Sequence, residues 1–391
     1  MNTVTDIQFQ FTDEHQQFRE SLRRFLKDTS AVTSVRSLME TESGYDQQVW
    51  QRLNGELGLQ GLIVPEQYGG SGFGMMEMGI AMEEMGRALY CGPFFSSAVM
   101  AVTAIDLIAS EDQKLRWLPQ IASGDMIAAL AVTESSNSDL LTSVQTCVAA
   151  ADDGDEGYRL TGNKRFVVSG CQADLLLVVA RLPGTSGLAG LSIFAVSADA
   201  PGLSRRGLSV MDRTRKQAEL QLDQTPAELI GPYGQAGRKL QMVLDLAAVA
   251  LANEMVGGAE KLLQDTLDYT RLRVQFGRTI GSFQAIKHRC TDLLLAVELA
   301  KSAAYFAAES AGRDTSTLAV NASIAKAEAS EVYLLAALET IQLHGGIGFT
   351  WENDTHLWFK RAKSSEVLLG DPVWHRARLV KELVSESGGQ L

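Results

Sequence analysis

Arg271-Leu272-Arg273-Val274-Gln275-Phe276-Gly277-Arg278-Thr279-Ile280-Gly281-Ser282-Phe283-Gln284-Ala285-Ile286-Lys287-His288 joins two long helical patterns. Apolar residues at helical spacing run into this stretch, Gly277 and Gly281 interrupt them, and a second helical pattern leaves it. Arginines therefore gather at a helix end, beside a glycine turn and a Phe283-Gln284 pair. A guanidinium fork matches pyrophosphate oxygens, and glycines let backbone approach a ligand closely. The place suits an extended, doubly charged ligand. A plain helix–turn–helix with a solvated basic end has the same spacing, so this stretch by itself leaves both readings open.

Upstream, residues 12 to 128 read as helical. Phe18, Leu22, Phe25 and Leu26 form one face of an amphipathic helix that Thr12 or Asp13 can cap. Further helices are expected at about 75–90 and 94–110. The glycine-rich Pro65–Gly74 segment between the first helix and these two has no strand–helix–strand unit around it, so it reads as a connecting loop and not as a nucleotide loop. Near residue 129 the period turns strand-like. Runs at 128–132, 144–150, 158–161, 166–169, 175–180, 191–196 and 219–222 are punctuated by Asp152-Asp153-Gly154-Asp155, Pro183-Gly184 and Pro201-Gly202. They predict a small antiparallel β domain. Helical patterns return at about 236–274, 281–311 and 315–344, long and rich in Ala and Leu, as in a four-helix bundle that also packs against other subunits. The expected fold is α+β and multidomain: an N-terminal all-α domain (1–128), a middle β domain (129–235) and a C-terminal four-helix bundle (236–391).

The chain has 391 residues, 46% hydrophobic and 21% charged, with a formal net charge of −12. That charge opposes nucleic acid and anionic membrane, so neither is expected as a partner. No apolar stretch approaches the roughly 18 residues of a membrane span, and Asp6 and Asp13 stand where a signal peptide needs an apolar run. The cytoplasm is the expected compartment. Cys91, Cys147, Cys171 and Cys290 form no Cys-x-x-Cys pair and read as buried reduced thiols. The five histidines lack zinc-ligand spacing, and no metal is expected. Trp351 and Trp358 suit either the wall of a wide pocket or a core or interface.

Three segments resemble the acyl-CoA dehydrogenase family. Arg273-x-x-Phe276-Gly277…Phe283-Gln284 is similar to its Arg-x-x-Phe-Gly…Phe-Gln signature. Gln342-Leu343-His344-Gly345-Gly346-Ile347-Gly348-Phe349 is similar to Gln-x-x-Gly-Gly-x-Gly-Phe. Thr133-Glu134-Ser135-Ser136-Asn137-Ser138-Asp139 resembles a shortened Thr-Glu-Pro-Gly-x-Gly-Ser-Asp. The resemblance spans nearly the whole chain and implies the α, β, α-bundle order with FAD between the β domain and the bundle. It also implies an acyl-CoA thioester against the flavin face, a glutamate that removes the alpha proton, and hydride transfer to the flavin. Chemically, the thioester carbonyl needs hydrogen-bond donors in a dry pocket, and the base must be a carboxylate within reach. By the same resemblance, Arg273, Gln275 and Phe276 meet the pyrophosphate side of FAD, and Gln284 the flavin or ribityl side. Gln342, Gly345 and Gly346 meet the adenosine end. These reach into a neighbouring subunit's site, so a dimer or tetramer is expected. Thr133 and Ser138 fall near the isoalloxazine, and Asp371 close to the flavin. An electron-transfer flavoprotein is the family's electron acceptor.

Two departures stand out. The family's base positions hold Leu369 and Ala247. Asp245 lies about 200° around the helix from Ala247. Glu254 lies about 20° off the same face and roughly 10 Å along it; it is a candidate base or a buried carboxylate paired within the bundle. Glu352 is a further possibility. On the flavin face, Phe166 and Val168 stand where Trp-x-Thr is usual, which removes the hydroxyl that bonds flavin N5. One half of a shared flavin site is kept and the other has drifted. That pattern, with the Gly348–Leu357 segment and Lys360–Ser365, resembles bacterial α2β2 heteromers acting on steroid side-chain CoA thioesters. The expected activity is alpha,beta-dehydrogenation of an acyl-CoA, with a homologous partner subunit supplying the base. The alternatives are a self-sufficient homo-oligomer with an atypical base, a flavin monooxygenase of the same fold, and a non-catalytic structural subunit.

Overall fold

A computed structural model describes residues 11–134, 139–150, 157–313 and 315–386. Six helices open the chain: α1 (Asp13–Thr29), α2 (Val32–Glu40), α3 (Gln47–Leu57), α4 (Met75–Arg87), α5 (Val102–Ile108) and α6 (Glu111–Ala122). Thr12 closes a capping box with His15 at the start of α1, and Asp46 caps α3. Short, largely polar α2 and α3 lack a long apolar face, which is why their periodicity does not stand out in the sequence. A π-helical segment, Phe95–Ala101, runs directly into α5. The Pro65–Gly74 segment is a loop with one 3-10 turn, Glu66–Tyr68.

The middle region holds β1 (Ala128–Ala131), β2 (Cys147–Ala150), β3 (Tyr158–Val168), β4 (Leu175–Arg181), β5 (Leu191–Ser197), β6 (Leu203–Gly207) and β7 (Gln217–Ile230). Neighbours run β4–β2–β3–β7–β5, and β5 pairs back onto β4, so the sheet closes on itself; β1 attaches to β4 and β6 to β7. The expectation of an antiparallel domain needs correction. β1 pairs β4 in parallel, and β2 meets β4 in parallel at Cys147 and Arg181. β1 arrives from the helical region and enters beside β4 in the same direction, a long-range pairing that no hairpin announces. The runs at 158–161 and 166–169 are one strand with register shifts after Leu160 and Lys164. The Asp152–Asp155 punctuation lies outside the described residues.

Helices α7 (Gly237–Leu272), α8 (Gln284–Ala311), α9 (Leu318–His344), α10 (Thr355–Val367) and α11 (Pro372–Glu386) complete the chain, with a hairpin of β8 (Val274–Gln275) and β9 (Arg278–Thr279) after α7. Helix α9 packs against α7, α8, α10 and α11. By length and composition α7 could cross a bilayer, contrary to the sequence expectation, but 89% of its apolar window is buried inside the protein. It is the central core helix. α4 crosses α7 in backbone contact. A Cβ on Gly86 would sit 1.9 Å from the Glu254 carbonyl oxygen, and one on Gly257 would sit 1.9 Å from that of Glu83. Each helix thus supplies a glycine where the other presents a carbonyl.

Of the cysteines, all free, Cys91 and Cys290 are buried, Cys171 is half-buried and Cys147 is exposed on β2. The burial expectation therefore fails for Cys147, which faces outward on a strand that alternates its two faces.

Candidate active site

Between the β domain and the C-terminal helices lies a cavity of about 400 Å³, lined by Thr133, Leu140, Phe166, Val210, Met211, Asp212, Gln217, Lys363, Ser364, Val367, Leu368, Leu369 and Asp371. Two of its wall residues are strained. Phe166 has φ +56° and Leu369 has φ +63°, a region that disfavours side chains with a Cβ by about 1–2 kcal/mol each. Phe166 occupies the register shift between Lys164 and Val167, and such bulges re-aim a side chain. Beneath it, Lys164 is fully buried, and its ammonium bonds Glu134 Oε1 at 2.6 Å and the Val132 carbonyl at 3.1 Å. Burial pushes Lys164 down to about 8 despite Glu134. Glu134 also accepts from the Gln145 and Thr146 amides, and the Arg165 amide donates to the Thr133 carbonyl. Thr133 is therefore held in the wall. Ser138 lies outside the described residues.

The opposite wall, Val367–Asp371, is gripped from behind. Lys326 on α9 is fully buried, and its Nζ bonds Ser330 Oγ and the carbonyls of Glu366 and Gly370 at 3.0–3.1 Å. Burial lowers it to about 7. His375 Nε2 lies 3.1 Å from the Leu369 carbonyl. Asp371 accepts from the Trp374 amide and caps α11.

Ala247 and Leu369, where the resemblance led us to expect the base, are both buried apolar residues. Asp245 makes a two-point pair with Arg378. Glu254, 4% exposed, accepts from Arg215 Nη2 at 2.5 and 2.6 Å and from Arg361 Nη1 at 2.7 Å. Arg361 also bonds Asp212, Thr214 Oγ1 and the Tyr90 carbonyl. Burial would lower the Arg361 pKa, but Asp212 and Glu254 raise it above the ordinary arginine value. Of the two readings of Glu254, the geometry supplies the paired one. Glu352 is exposed and lines none of these spaces. Trp358 is buried and Trp351 exposed, and neither lines the cavity.

Arg273, Gln275, Phe276, Gln284, Gln342, Gly345 and Gly346 are all exposed, and none lines the cavity. Tyr269 stacks on His344 at 4.1 Å and joins the end of α7 to the Gln342–Gly346 stretch, so the two motifs form one surface. Phe276 is 92% exposed and Phe349 83%. The structure thus separates the sequence-derived site residues. Thr133, Phe166, Leu369 and Asp371 line the cavity, with Val168 just behind, while Arg273, Gln275, Phe276, Gln284, Gln342, Gly345 and Gly346 face outward. Among the described residues no group of three or more His, Cys, Asp or Glu could hold a metal.

Sequence reasoning missed Asp212, Arg215 and Arg361. A signal existed for Arg361, which shares a helix face with Leu357, Trp358 and Ser365, all buried. A charge on an apolar face calls for a buried partner. Nothing local marks Asp212 or Arg215.

This architecture, a closed β unit between two helical units with a cavity at its junction with the bundle, is that of a flavin-dependent oxidoreductase that handles acyl thioesters. The chain matches the models of the acyl-CoA dehydrogenase N-terminal domain over residues 12–125, middle domain over 129–225 and C-terminal domain over 237–383, and belongs to the FAD-dependent acyl-CoA dehydrogenase family. It is 33% identical over 372 residues to the acyl-CoA dehydrogenase IpdE2 of Mycobacterium tuberculosis, covering 95% of this chain and 98% of the relative. A variant of the Tcur3481-Tcur3483 steroid ACAD superposes with a TM-score of 0.86 at 30% identity, covering 96% of this chain and 99% of that one. The ChsE4-ChsE5 complex of Mycobacterium tuberculosis gives 0.85 at 26%, covering 96% and 98%.

Proposed function

We propose that this chain is one subunit of a heteromeric acyl-CoA dehydrogenase and that a homologous partner supplies the base. One observation carries the reading: among the described residues, the carboxylates of Glu254, Asp212 and Asp371 at the cavity are all hydrogen-bonded to protein groups. Glu254 serves Arg215 and Arg361, Asp212 serves Arg361 and Thr214, and Asp371 caps α11. Both oxygens of Glu254 already accept charge-assisted hydrogen bonds from guanidiniums.

The cavity fits a flavin ring. Its volume lies in the range of about 300–1,000 Å³ usual for ligand sites, and its wall combines apolar side chains with Thr133, Gln217 and Ser364 as polar partners. FAD, when bound, supplies the hydride acceptor. This chain's share is positional. Arg273 offers a two-pronged grip on the pyrophosphate of an FAD seated mainly in the neighbouring subunit, and Phe276, Gln275 and Gln284 cover its ribityl side. Gln342 with Gly345 and Gly346 meets its adenosine end. Exposed Leu294, Leu295 and Leu299 on α8 and Leu335 and Leu338 on α9 suit burial against another subunit. The same reading takes 1–128, 129–235 and 236–391 as domains, the cytoplasm as compartment, a steroid side-chain CoA thioester as substrate class and an electron-transfer flavoprotein as acceptor. The paired names Tcur3481-Tcur3483 and ChsE4-ChsE5 support it by likeness.

The test is flavin absorbance near 450 nm with light scattering, on the chain purified by itself and after co-expression with homologous neighbouring gene products. Higher flavin content and turnover in a mixed oligomer is the expected result. One FAD per chain with full turnover from this protein alone would refute the reading.

A further inference from the structure

An ammonium taken out of water is strongly unfavourable unless each of its N–H groups finds an acceptor. Lys326, on α9 and fully buried, meets that condition. An ammonium has three donors, and three oxygens surround this one: Ser330 Oγ at 3.0 Å, the Glu366 carbonyl at 3.1 Å and the Gly370 carbonyl at 3.0 Å. Ser330 acts here as an acceptor, because its own hydroxyl donates to the Lys326 carbonyl at 2.6 Å. Glu366 stands in the last turn of α10, where carbonyls lose their helical partners and a cation is favoured. One buried group thus caps α10 and also holds the chain a short turn further on.

Between those two held carbonyls the chain reverses. Leu369 takes φ +63° and Gly370 φ +104°. His375 Nε2 lies 3.1 Å from the Leu369 carbonyl, so the carbonyls of Leu369 and Gly370 turn toward α11 and α9. In a trans peptide the N–H points opposite to the C=O. The Gly370 and Asp371 amides consequently turn away from those helices, to the side where Leu369 and Asp371 line the cavity. Neither amide bonds to another group within the described residues, although Gly370 is buried and buried N–H groups are seldom left single.

We propose that Lys326 is a positioning residue for the cofactor site: its ammonium, joined by His375, pins the 366–370 turn so that the Gly370 and Asp371 amides face the cavity as hydrogen-bond donors to the electronegative edge of a flavin ring. Lys326 acts from behind the wall and lines no part of the cavity itself. Methionine at this position keeps most of the packing but frees both carbonyls, and the turn then loses the direction of its amides. The inference rests on the flavin reading of the cavity, and the two fail differently. A wild-type complex without flavin would strike the reading; a folded variant with undiminished flavin affinity would strike the inference.

The experiment is a fluorescence titration of FAD into the flavin-stripped, co-expressed complex, wild type and K326M, at a temperature where calorimetry shows both folded. FAD affinity should fall at least about tenfold in K326M, the worth of two hydrogen bonds lost together. Hydrogen exchange on the chain alone gives a readout without flavin. The Leu368, Trp374 and His375 amides frame the turn through bonds to the Ser364 carbonyl, Asp371 Oδ1 and the Asp371 carbonyl. They should exchange at least about tenfold faster in K326M, while amides in the middle of α7 keep their rates. A folded K326M that binds FAD within about twofold of wild type, or exchange that quickens equally in α7 and the turn, would overturn the role. Should K326M fail to fold, K326Q, neutral and one atom shorter, is held to the same two comparisons.

Discussion

Replacing Glu254 by Gln separates a structural lock from a catalytic base. The carboxylate accepts three bonds of 2.5–2.7 Å from two guanidiniums. The amide keeps the shape but loses the charge, and turns an N–H toward arginine donors. Two buried guanidiniums then face Asp212 alone. Removing one partner of such a group costs about 3–5 kcal/mol. At about 2–4 °C per kcal/mol for a large domain, the expected fall in Tm is on the order of 10 °C. Differential scanning calorimetry on the wild type, E254Q and R215M/E254M provides the assay. The double variant should recover most of the loss, since replacing a whole buried pair by apolar groups is often near neutral. An E254Q protein within about 0.5 kcal/mol of wild type, with turnover abolished, would refute the lock and make Glu254 a free base.

Other outcomes follow from the same geometry. Lys326 has a folded pKa of about 7 because of burial, against about 10.4 in an unfolded chain; between those values the unfolded state holds a proton that the native state lacks, so stability rises as pH rises from about 7 toward 10 and levels off below about 7, where both states are protonated. Urea midpoints at pH 6.5 and 9 should show that rise, and K326M should flatten it; Lys164, at about 8, adds in the same direction. Gly86→Ala should cost at least about 3 kcal/mol, because the new Cβ meets the Glu254 carbonyl at 1.9 Å. Gly277→Ala, at φ +76° with nothing within 4 Å, should cost only about 1–2 kcal/mol of backbone strain, and chemical denaturation ranks the two. Arg273→Met should leave the chain's own stability within about 0.5 kcal/mol and weaken FAD binding in the complex by about tenfold or more, the worth of one charge-assisted contact, read by flavin fluorescence.

The helical framework was legible because α1, α7, α8 and α9 are long enough for their periodicity to stand out, and because Gly277 and Gly345 mark chain reversals. The closure of the sheet was not, since β1 and β2 against β4 and β5 against β7 join residues far apart in sequence. The outward-facing half of the site was readable from Arg273–Gln284 and Gln342–Gly346, where function is written in contiguous residues. The inward half was not. Asp212, Arg215, Glu254 and Arg361 come from four places in the chain, and the meaning of each depends on the other three. Phe166 and Leu369 could be located by resemblance, but their left-handed backbones follow from a register shift and from the carbonyl grip of Lys326 and His375.

The reciprocal glycine crossing of α4 and α7 has a consequence for motion. Where two main chains touch at both ends of a crossing, neither helix can roll or slide without driving a carbonyl into a neighbouring Cα. Helices α4 and α7 are therefore expected to move as one body, and hydrogen exchange should find slow amides around Gly86 and Gly257. Breathing at the cavity falls to its thin margins, above all the stretch around Met211, whose side chain is half exposed at the rim while Asp212 beside it is anchored. Entry of a cofactor ring is then a matter of a few residues flexing against a fixed frame.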